Sequence, residues 1–92
     1  ELASSLAHAR VEHRIVAALL LLIPQFGRFS EKSQAKSIYI TRKELADLTG
    51  TTPETAIRLT KQLERQGILD LSRPGIIKIP DVEALRRSAN EL

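Results

Sequence analysis

Apolar residues recur at steps of three and four positions along the first quarter of the chain. This period predicts a helix from Glu1 to about Ile23, ended by Pro24, because the segment is rich in helix formers and has no earlier Gly or Pro. Leu20 and Leu21 fall outside its inward face, so we expect the helix to have a second partner. The inward face is predicted to contain Leu2, Leu6, Ala9, Ile15, Val16, Leu19, Leu22, Ile23 and Phe26.

Two short helices with separate start signals are predicted in the middle of the chain. Thr41 and Glu44 form a capping box for the first of them, since a threonine followed by a glutamate at the third position can satisfy two N–H groups reciprocally. Leu45 and Leu48 are predicted to supply the buried face of this helix. Gly50 then permits the tight turn that follows.

The second of these helices is predicted to run from Pro53 to about Gln66. Thr52 supplies its N-cap, and a proline at the first helical position lacks only an N–H that would be unpaired there. Gly67 is the expected end. The side chains predicted to face inward are Ala56, Leu59 and Leu63, with Ile57 left undecided.

Three short apolar segments predict strands. Residues 37–40 precede the two helices, and residues 68–71 and 76–79 follow them as an antiparallel hairpin. Residues 72–75 join the two hairpin strands, and Pro-Gly at the centre of this segment suits a type II turn. The hairpin would form the wing of a winged helix-turn-helix.

Asp81 is predicted to cap a final helix from Val82 to about Ala89. The expected fold class is therefore mainly α with a small antiparallel β-sheet, arranged as a winged helix-turn-helix. The chain has 92 residues, of which 42% are hydrophobic, so it is long enough for one small domain with a single core.

The composition narrows the class of protein. The absence of cysteine excludes disulfides and thiolate metal sites, and it fits a cytoplasmic location, which we predict. The most apolar run, Ile15 to Ile23, is nine residues long, against about 20 for a bilayer-spanning helix, so no membrane partner is expected. The net charge of +3 suits a polyanionic partner.

Two side chains at the start of the second helix are candidates for reading bases. Glu54 and Arg58 are four residues apart and therefore share one face of the helix. An arginine can bind guanine O6 and N7 through two hydrogen bonds, and a carboxylate can accept from cytosine N4. The alternative is an ordinary intrahelical salt bridge, worth about 0.3–0.5 kcal/mol. The surrounding helix-turn-helix and wing favour base contact.

Hydroxyl and cationic side chains near the helix starts and at the turn of the hairpin suit contact with DNA phosphates. The alternative is that the threonine at the N-cap only caps its helix, that the cations are solvated, and that the arginine of the hairpin is an exposed turn residue. The candidate phosphate contacts are Arg42, Lys43, Thr52, Thr55, Lys61 and Arg73.

Enzymatic motifs are absent from the sequence. His8 and His13 are five residues apart and point in different directions, and neither belongs to a His-Glu-x-x-His pattern. No Gly-rich phosphate loop or nucleophile elbow occurs. We therefore predict that the chain is no enzyme and carries no metal or cofactor.

The segment from Ile40 to Gly50, continued from Thr52 to Arg58, resembles the cyclic-AMP receptor protein / fumarate–nitrate regulator (CRP/FNR) family. The pattern is Thr-Arg-x-x-[Leu/Ile]-[Ala/Gly] followed by Glu-Thr-x-x-Arg. The similarity continues through residues 63–69 and the wing, and back over residues 15–27. It covers most of the chain.

The resemblance implies the C-terminal DNA-binding part of a homodimeric bacterial transcription regulator, with RNA polymerase as a further candidate partner. A sensor domain and a long dimerisation helix would precede it, which agrees with a chain that starts at Glu1 and contains no methionine. Residues 1–27 would form the connecting helix next to the dimerisation helix, packed on a DNA-binding domain of residues 28–92. The effector of the sensor domain cannot be named from this piece.

By the same resemblance, Glu54 and Arg58 correspond to the pair that reads the G·C step of a TGA-type half-site. Thr52 and Thr55, with Arg42, match the phosphate contacts of the family.

The sequence departs from the family pattern in two positions of the reading helix. Pro53 stands where one branch of the family commonly has an arginine, so we expect a TTGA-like half-site rather than TGTGA. Ile57 replaces a small or hydroxyl residue, and it either touches a thymine methyl or packs inward. Both positions are assigned to the base-contacting group.

Two alternatives to this function remain open at the level of sequence. A winged helix can serve as a protein–protein interaction module, or it can belong to a repressor of another family. An apolar outward face on the second helix would favour protein contact, whereas its charged residues favour DNA. These residues are Glu54, Arg58, Lys61 and Arg65.

Overall fold

A computed structural model describes residues 2–26 and 35–90, with the side chains of residues 10–23 in the first helix. Six elements lie within these ranges, and the two-stranded antiparallel sheet is small beside the four helices, as the fold class predicted. In chain order they are α1 (Leu2–Phe26), β1 (Lys36–Ile38), α2 (Arg42–Thr49), α3 (Pro53–Arg65), β2 (Ile77–Ile79) and α4 (Val82–Asn90).

The sheet joins the strand before the helix-turn-helix to the strand after it. β1 pairs with β2 in antiparallel register, with Lys36 opposite Ile79 and Ile38 opposite Ile77. This corrects the prediction of a hairpin between residues 68–71 and 76–79, which is reduced to a single bridge between Asp70 and Lys78.

The physical reason for the shorter hairpin lies in the partners of the backbone. Beyond the Asp70–Lys78 bridge, the N–H of Ser72 donates to the carboxylate of Asp70 and the N–H of Ile76 donates to the carbonyl oxygen of Arg73, so the next hydrogen-bonded pair toward the turn does not form. At the other end, the N–H of Ile68 donates to the carbonyl oxygen of Leu63, and Pro80 has no N–H. The first strand also differs from its prediction, because it covers residues 36–38 instead of 37–40. Ile40 nevertheless remains buried and Tyr39 exposed, so the inward and outward alternation continues past the end of the strand.

One apolar core lies between α1, the helix-turn-helix, the sheet and α4. Three residues of the predicted stripe of α1 have no exposed surface. The helix packs against α2, α4 and β1, which places the helix-turn-helix on its flank. The buried hydrophobic residues are Ile15, Val16, Leu19, Ile38, Ile40, Leu45, Ala46, Ala56, Leu59, Leu63, Leu69, Ile77, Ile79, Val82 and Leu85.

The first helix differs from its prediction in two respects. It continues past Pro24 to Phe26, so the proline lies in the last turn of the helix and does not end it at once. Leu20 packs partly buried against the core, whereas Leu21 is 71% exposed as predicted. The side chains expected to face inward at Leu2, Leu6, Ala9 and Phe26, like the segment 27–34, lie outside the described residues.

The buried face of α2 also differs from the prediction. Leu45 is fully buried, but Leu48 is 60% exposed. In an eight-residue helix the inward positions are taken by Leu45, Ala46 and Thr49, and Leu48 lies beside α1 instead of beneath the helix. Leu48 therefore belongs to the surface.

Candidate nucleic-acid interface

The start of α2 is fixed by the predicted capping box. The hydroxyl oxygen of Thr41 accepts from the N–H of Glu44 at 3.0 Å, and the N–H of Thr41 donates to Glu44 Oε1 at 2.9 Å. Hydrogen bonds to the Glu44 carboxyl from the backbone and then the side chain of Thr41 lower its pKa. The carboxylate is thus engaged at the helix start. Of the two adjacent cations, Arg42 is half-buried and Lys43 is exposed.

The turn between α2 and α3 is short and fully hydrogen-bonded. Gly50 has φ 71° and caps α2 in the left-handed conformation that favours glycine. The N–H groups of Gly50 and Thr51 both donate to the carbonyl oxygen of Ala46. Only Gly50 and Thr51 separate the last residue of α2 from Thr52, which caps α3, so the turn restricts the angle between the two helices.

Helix α3 separates a buried face from a charged face. Ala56, Leu59, Thr60 and Leu63 are buried, and the hydroxyl of Thr60 is satisfied by the carbonyl oxygen of Ala56 at 2.7 Å. Because a helix turns about 100° per residue, four exposed side chains lie on the opposite side and form one stripe. We call this set the outward stripe: Glu54, Arg58, Lys61 and Arg65.

The two residues predicted to read bases do not pair with each other. Glu54 and Arg58 are exposed in the first two turns of α3, and they form no ion pair with each other in the described part of the chain. The alternative of an intrahelical salt bridge is therefore not realised in this conformation. Both side chains are exposed on the surface of α3.

The two threonines at the start of α3 form a chain of hydrogen bonds. Thr52 Oγ1 accepts from the N–H of Thr55 at 3.3 Å and donates to Thr55 Oγ1 at 3.0 Å. The Thr55 hydroxyl, which accepts, keeps its own proton for an outside acceptor. Capping and phosphate contact are thus compatible at this helix start. Pro53 beside them is exposed, as is Ile57 at 39%.

The wing is held at its base and open at its tip. Asp70 and Lys78 exchange backbone hydrogen bonds of 2.8 and 3.0 Å. The N–H of Ile76 donates to the carbonyl oxygen of Arg73 at 3.3 Å and Gly75 has φ 73°, which confirms the predicted type II turn. Arg73 is exposed at the tip.

Asp70 shapes the entry to the wing. Its carboxylate accepts from the N–H of Ser72 at 2.9 Å, closing an Asx turn. Hydrogen bonds from the side chain and backbone of Ser72 lower the pKa of the Asp70 carboxyl, and the charges of Lys78 and Arg73 lower it further. The wing therefore carries one carboxylate among its cations.

Three positioning contacts were missed by the sequence reasoning. Glu64 Oε2 accepts from the N–H of Leu71 at 2.9 Å, and Arg14 Nε donates to the carbonyl oxygen of Thr49 at 3.0 Å. Both join residues that no local pattern connects. The Asx turn of Asp70, in contrast, could have been predicted from the local sequence, since the aspartate stands two residues before its donor.

An apolar groove lies between α1 and α2, away from the outward stripe. It has a volume of about 450 Å³ and is lined mainly by leucine and alanine, with Arg14 and Thr49 at its polar side. No three metal-binding side chains lie together in the part of the chain that the structure describes. Within the same residues, no helix is long and apolar enough to cross a membrane.

Comparisons with known proteins agree with this architecture. One solved structure with a similar fold is TTHA1359, a CRP/FNR-family transcriptional regulator from Thermus thermophilus, with 29% identity and a TM-score of 0.77 over 96% of this chain and 44% of that one. Another is TTHB099, a CRP-family transcriptional regulator from the same organism, with 24% identity and a TM-score of 0.75 over 91% and 44%.

A third similar structure is the reduced CO-sensing protein from R. rubrum, with 19% identity and a TM-score of 0.76 over 94% of this chain and 39% of that chain, a likeness of fold. The chain thus spans less than half the length of these structures. No curated protein matches the sequence significantly.

The sequence profile of one family covers most of the chain. The profile of the Crp-like helix-turn-helix domain matches residues 13–88, which include α2, α3, the wing and most of α4. The fold and the sequence therefore give the same assignment, and the resemblance to CRP/FNR regulators is confirmed. The chain belongs to the Crp-like helix-turn-helix family and is a DNA-binding domain of the transcription-regulator type.

Proposed function

We propose that α3 enters the major groove of DNA and reads a TTGA-like half-site with the outward stripe. The observation that carries this proposal is the placement of Glu54 and Arg58 together on the exposed side of the helix, without an ion pair between them. Arg58 supplies the two donors that match guanine O6 and N7, and Glu54 accepts from cytosine N4. Lys61 and Arg65 extend the stripe and add positive charge.

The bases next to this pair are assigned to two exposed residues. Pro53 at the first position of α3 has no side-chain donor, so the half-site lacks the guanine that an arginine at this position would read. Ile57 is 39% exposed, which supports an apolar contact with a thymine methyl rather than a place in the core. The expected half-site is therefore TTGA-like rather than TGTGA.

Phosphate contacts are assigned to both sides of α3. Thr52 and Thr55 present hydroxyls at a helix start, where the positive end of the helix dipole suits an anion. Arg42 and Lys43 at the start of α2, Lys61 on α3 and Arg73 at the tip of the wing supply charge. Such contacts position the domain without reading sequence.

In the full-length protein we propose a homodimer on an inverted repeat. Helix-turn-helix dimers bind half-sites about 10 bp apart, which corresponds to the sequence TTGA-N6-TCAA. A sensor domain that precedes residues 1–27 would change the relative pose of two domains of residues 28–92. RNA polymerase is a further proposed partner, and a non-enzymatic role in the cytoplasm follows from the regulator function.

A protein-interaction module would need a different outward face on α3. A helix that docks on another protein has an apolar outward face, whereas three cations and one carboxylate form the outward stripe. The charge of α3 therefore supports DNA as the ligand of this surface.

The test is a fluorescence-anisotropy titration with a TTGA-N6-TCAA duplex and a scrambled duplex of equal composition, at two salt concentrations. We expect tighter binding to the palindrome and weaker binding of both duplexes at higher salt. Equal affinity for the two duplexes at low salt would contradict the half-site. Binding to neither would move the protein-interaction function to first place.

A further inference from the structure

The first helix touches the helix-turn-helix through a hydrogen bond that the DNA-binding role does not require. Arg14 Nε donates to the carbonyl oxygen of Thr49 at 3.0 Å, and the two residues are 35 positions apart. Thr49 is the last residue of α2, where carbonyl groups have no partner within the helix. A cation at a helix C-terminus is also favoured by the helix dipole.

Thr49 cannot move without its neighbours. Its side chain is buried, and its hydroxyl donates to the carbonyl oxygens of Leu45 at 2.8 Å and Ala46 at 3.3 Å. The N–H groups of Gly50 and Thr51 end on the same Ala46 carbonyl. The C-terminus of α2 and the turn therefore form one hydrogen-bonded unit, to which Arg14 is attached from outside.

This unit determines where α3 starts. Thr52 follows the turn directly and caps α3, and Arg58 lies six residues further along, or about 9 Å at 1.5 Å per residue. A tilt of α3 by about 10° would displace Arg58 by roughly 1.5 Å, whereas hydrogen bonds tolerate only about 0.5 Å. Base reading is therefore sensitive to small changes in this unit.

We infer that Arg14 is a positioning residue for base reading: by holding the last carbonyl of α2 it sets the angle of α3, and it couples the orientation of the first helix to DNA specificity. The inference rests on the proposed function. Arg14 lies on α1 beside the apolar groove and does not belong to the outward stripe. Its effect on DNA passes through Thr49, the turn and Arg58.

The variants that test this inference are Arg14→Gln, which removes the charge and keeps most of the stem, and Arg14→Lys, which keeps the charge. Arg10→Gln is the matched control, since Arg10 is exposed one turn earlier on α1 and has no hydrogen bond in the described residues. We expect Arg14→Gln to lower the ratio of palindrome to scrambled affinity roughly three- to ten-fold. Arg14→Lys should lower this ratio less than Arg14→Gln does, and Arg10→Gln should leave it unchanged.

The salt dependence separates positioning from direct phosphate contact. If Arg14 only positions α3, the plot of log affinity against the logarithm of the salt concentration has the same slope for Arg14→Gln as for the wild type. An equal loss on both duplexes, with a slope smaller by about 0.9, would show that Arg14 binds a phosphate and would overturn the inference. A lowered melting temperature with unchanged affinity of the folded protein would also overturn it, since it would indicate a purely structural role.

Two further measurements keep the inference independent of the half-site. In a double-mutant cycle, the variant with both Arg14→Gln and Arg58→Ala should show a smaller loss of the affinity ratio than the product of the two single losses. The reason is that both substitutions act on the contact between Arg58 and its base. In the free protein, Arg14→Gln should shift the amide NMR signals of Thr51, Thr55 and Arg58. If these signals stay in place, the inference fails even where the palindrome is preferred. If wild type shows no preference while the signals shift, only the half-site fails.

Discussion

The carboxylate of Glu64, in the last turn of α3, accepts a hydrogen bond from the backbone N–H of Leu71 over 2.9 Å. This contact ties the end of α3 to the segment that leads into the wing. The two surfaces that would touch DNA are thereby held as one body.

Removal of this contact should loosen the wing. We expect Glu64→Ala to lower the free energy of unfolding by about 1–2 kcal/mol, because the N–H of Leu71 is part-buried and loses a charged acceptor. Glu64→Gln keeps an acceptor and should lose less than half as much. Urea denaturation followed by far-UV circular dichroism measures both, and equal stabilities of the three proteins would contradict the role of this contact.

The capping box makes the domain sensitive to acid. The pKa of Glu44 is lowered in the folded state, so the folded protein binds its proton less tightly than the unfolded chain. The resulting stability is present above the ordinary glutamate pKa of about 4.3 and is lost as the pH falls through the lowered value. We expect the melting temperature of Glu44→Gln to fall less than that of the wild type between about pH 6 and about pH 3.

Asp70 contributes to the acid sensitivity with the same sign, since its pKa is also lowered. The double variant Glu44→Gln, Asp70→Asn should therefore have a flatter pH profile than either single variant. A profile of Glu44→Gln that coincides with the wild type, after correction for its stability at neutral pH, would argue against the capping box as a source of this dependence.

Base reading and phosphate binding should separate within α3. Arg58→Ala should cost about 1–3 kcal/mol on the palindrome and relax discrimination at the guanine, because it removes two donors to one base. Lys61→Ala, its neighbour on the outward stripe, should weaken all sequences alike and reduce the salt slope by about 1. Anisotropy titrations against single-base variants of the half-site distinguish them, and equal losses on specific and scrambled DNA for Arg58→Ala would exclude base reading.

Two leucines of α2 provide a matched test of burial. Leu45 is fully buried and Leu48 is 60% exposed, so the same truncation should have different effects. We expect Leu45→Ala to cost about 2–5 kcal/mol, since it leaves a cavity, and Leu48→Ala to change the stability by about 0.5 kcal/mol or less. Similar losses for the two variants in urea denaturation would show that Leu48 is covered in solution.

The local signals in the sequence predicted most of the helix-turn-helix. The capping box of Thr41 and Glu44, the N-cap of Thr52 and the turn at Gly75 are each determined by side chains within three residues of one another, and all are present. Leu48 was placed wrongly, because the apolar period of an eight-residue helix does not determine which of its two leucines the neighbouring elements cover.

The contacts between distant segments could not be predicted in this way. The pairing of β1 with β2 joins two segments that are separated by both helices of the helix-turn-helix, so no local pattern marks it. The contact between Arg14 and Thr49 joins two helices whose relative position has no local sign. The contacts of the candidate residues with DNA remain predictions, since they depend on a second molecule.

The pairing of Ile38 with Ile77 closes the chain into a loop that contains α2, α3 and the wing. A loop closed by its own sheet has its ends fixed, so the helices gain less conformational entropy on detaching while β1 and β2 stay paired. The amide protons of α3 and β2 should therefore exchange with solvent through one common opening reaction. The helix-turn-helix of this domain would then unfold as a single cooperative unit with the sheet, rather than as an independent pair of helices resting on it.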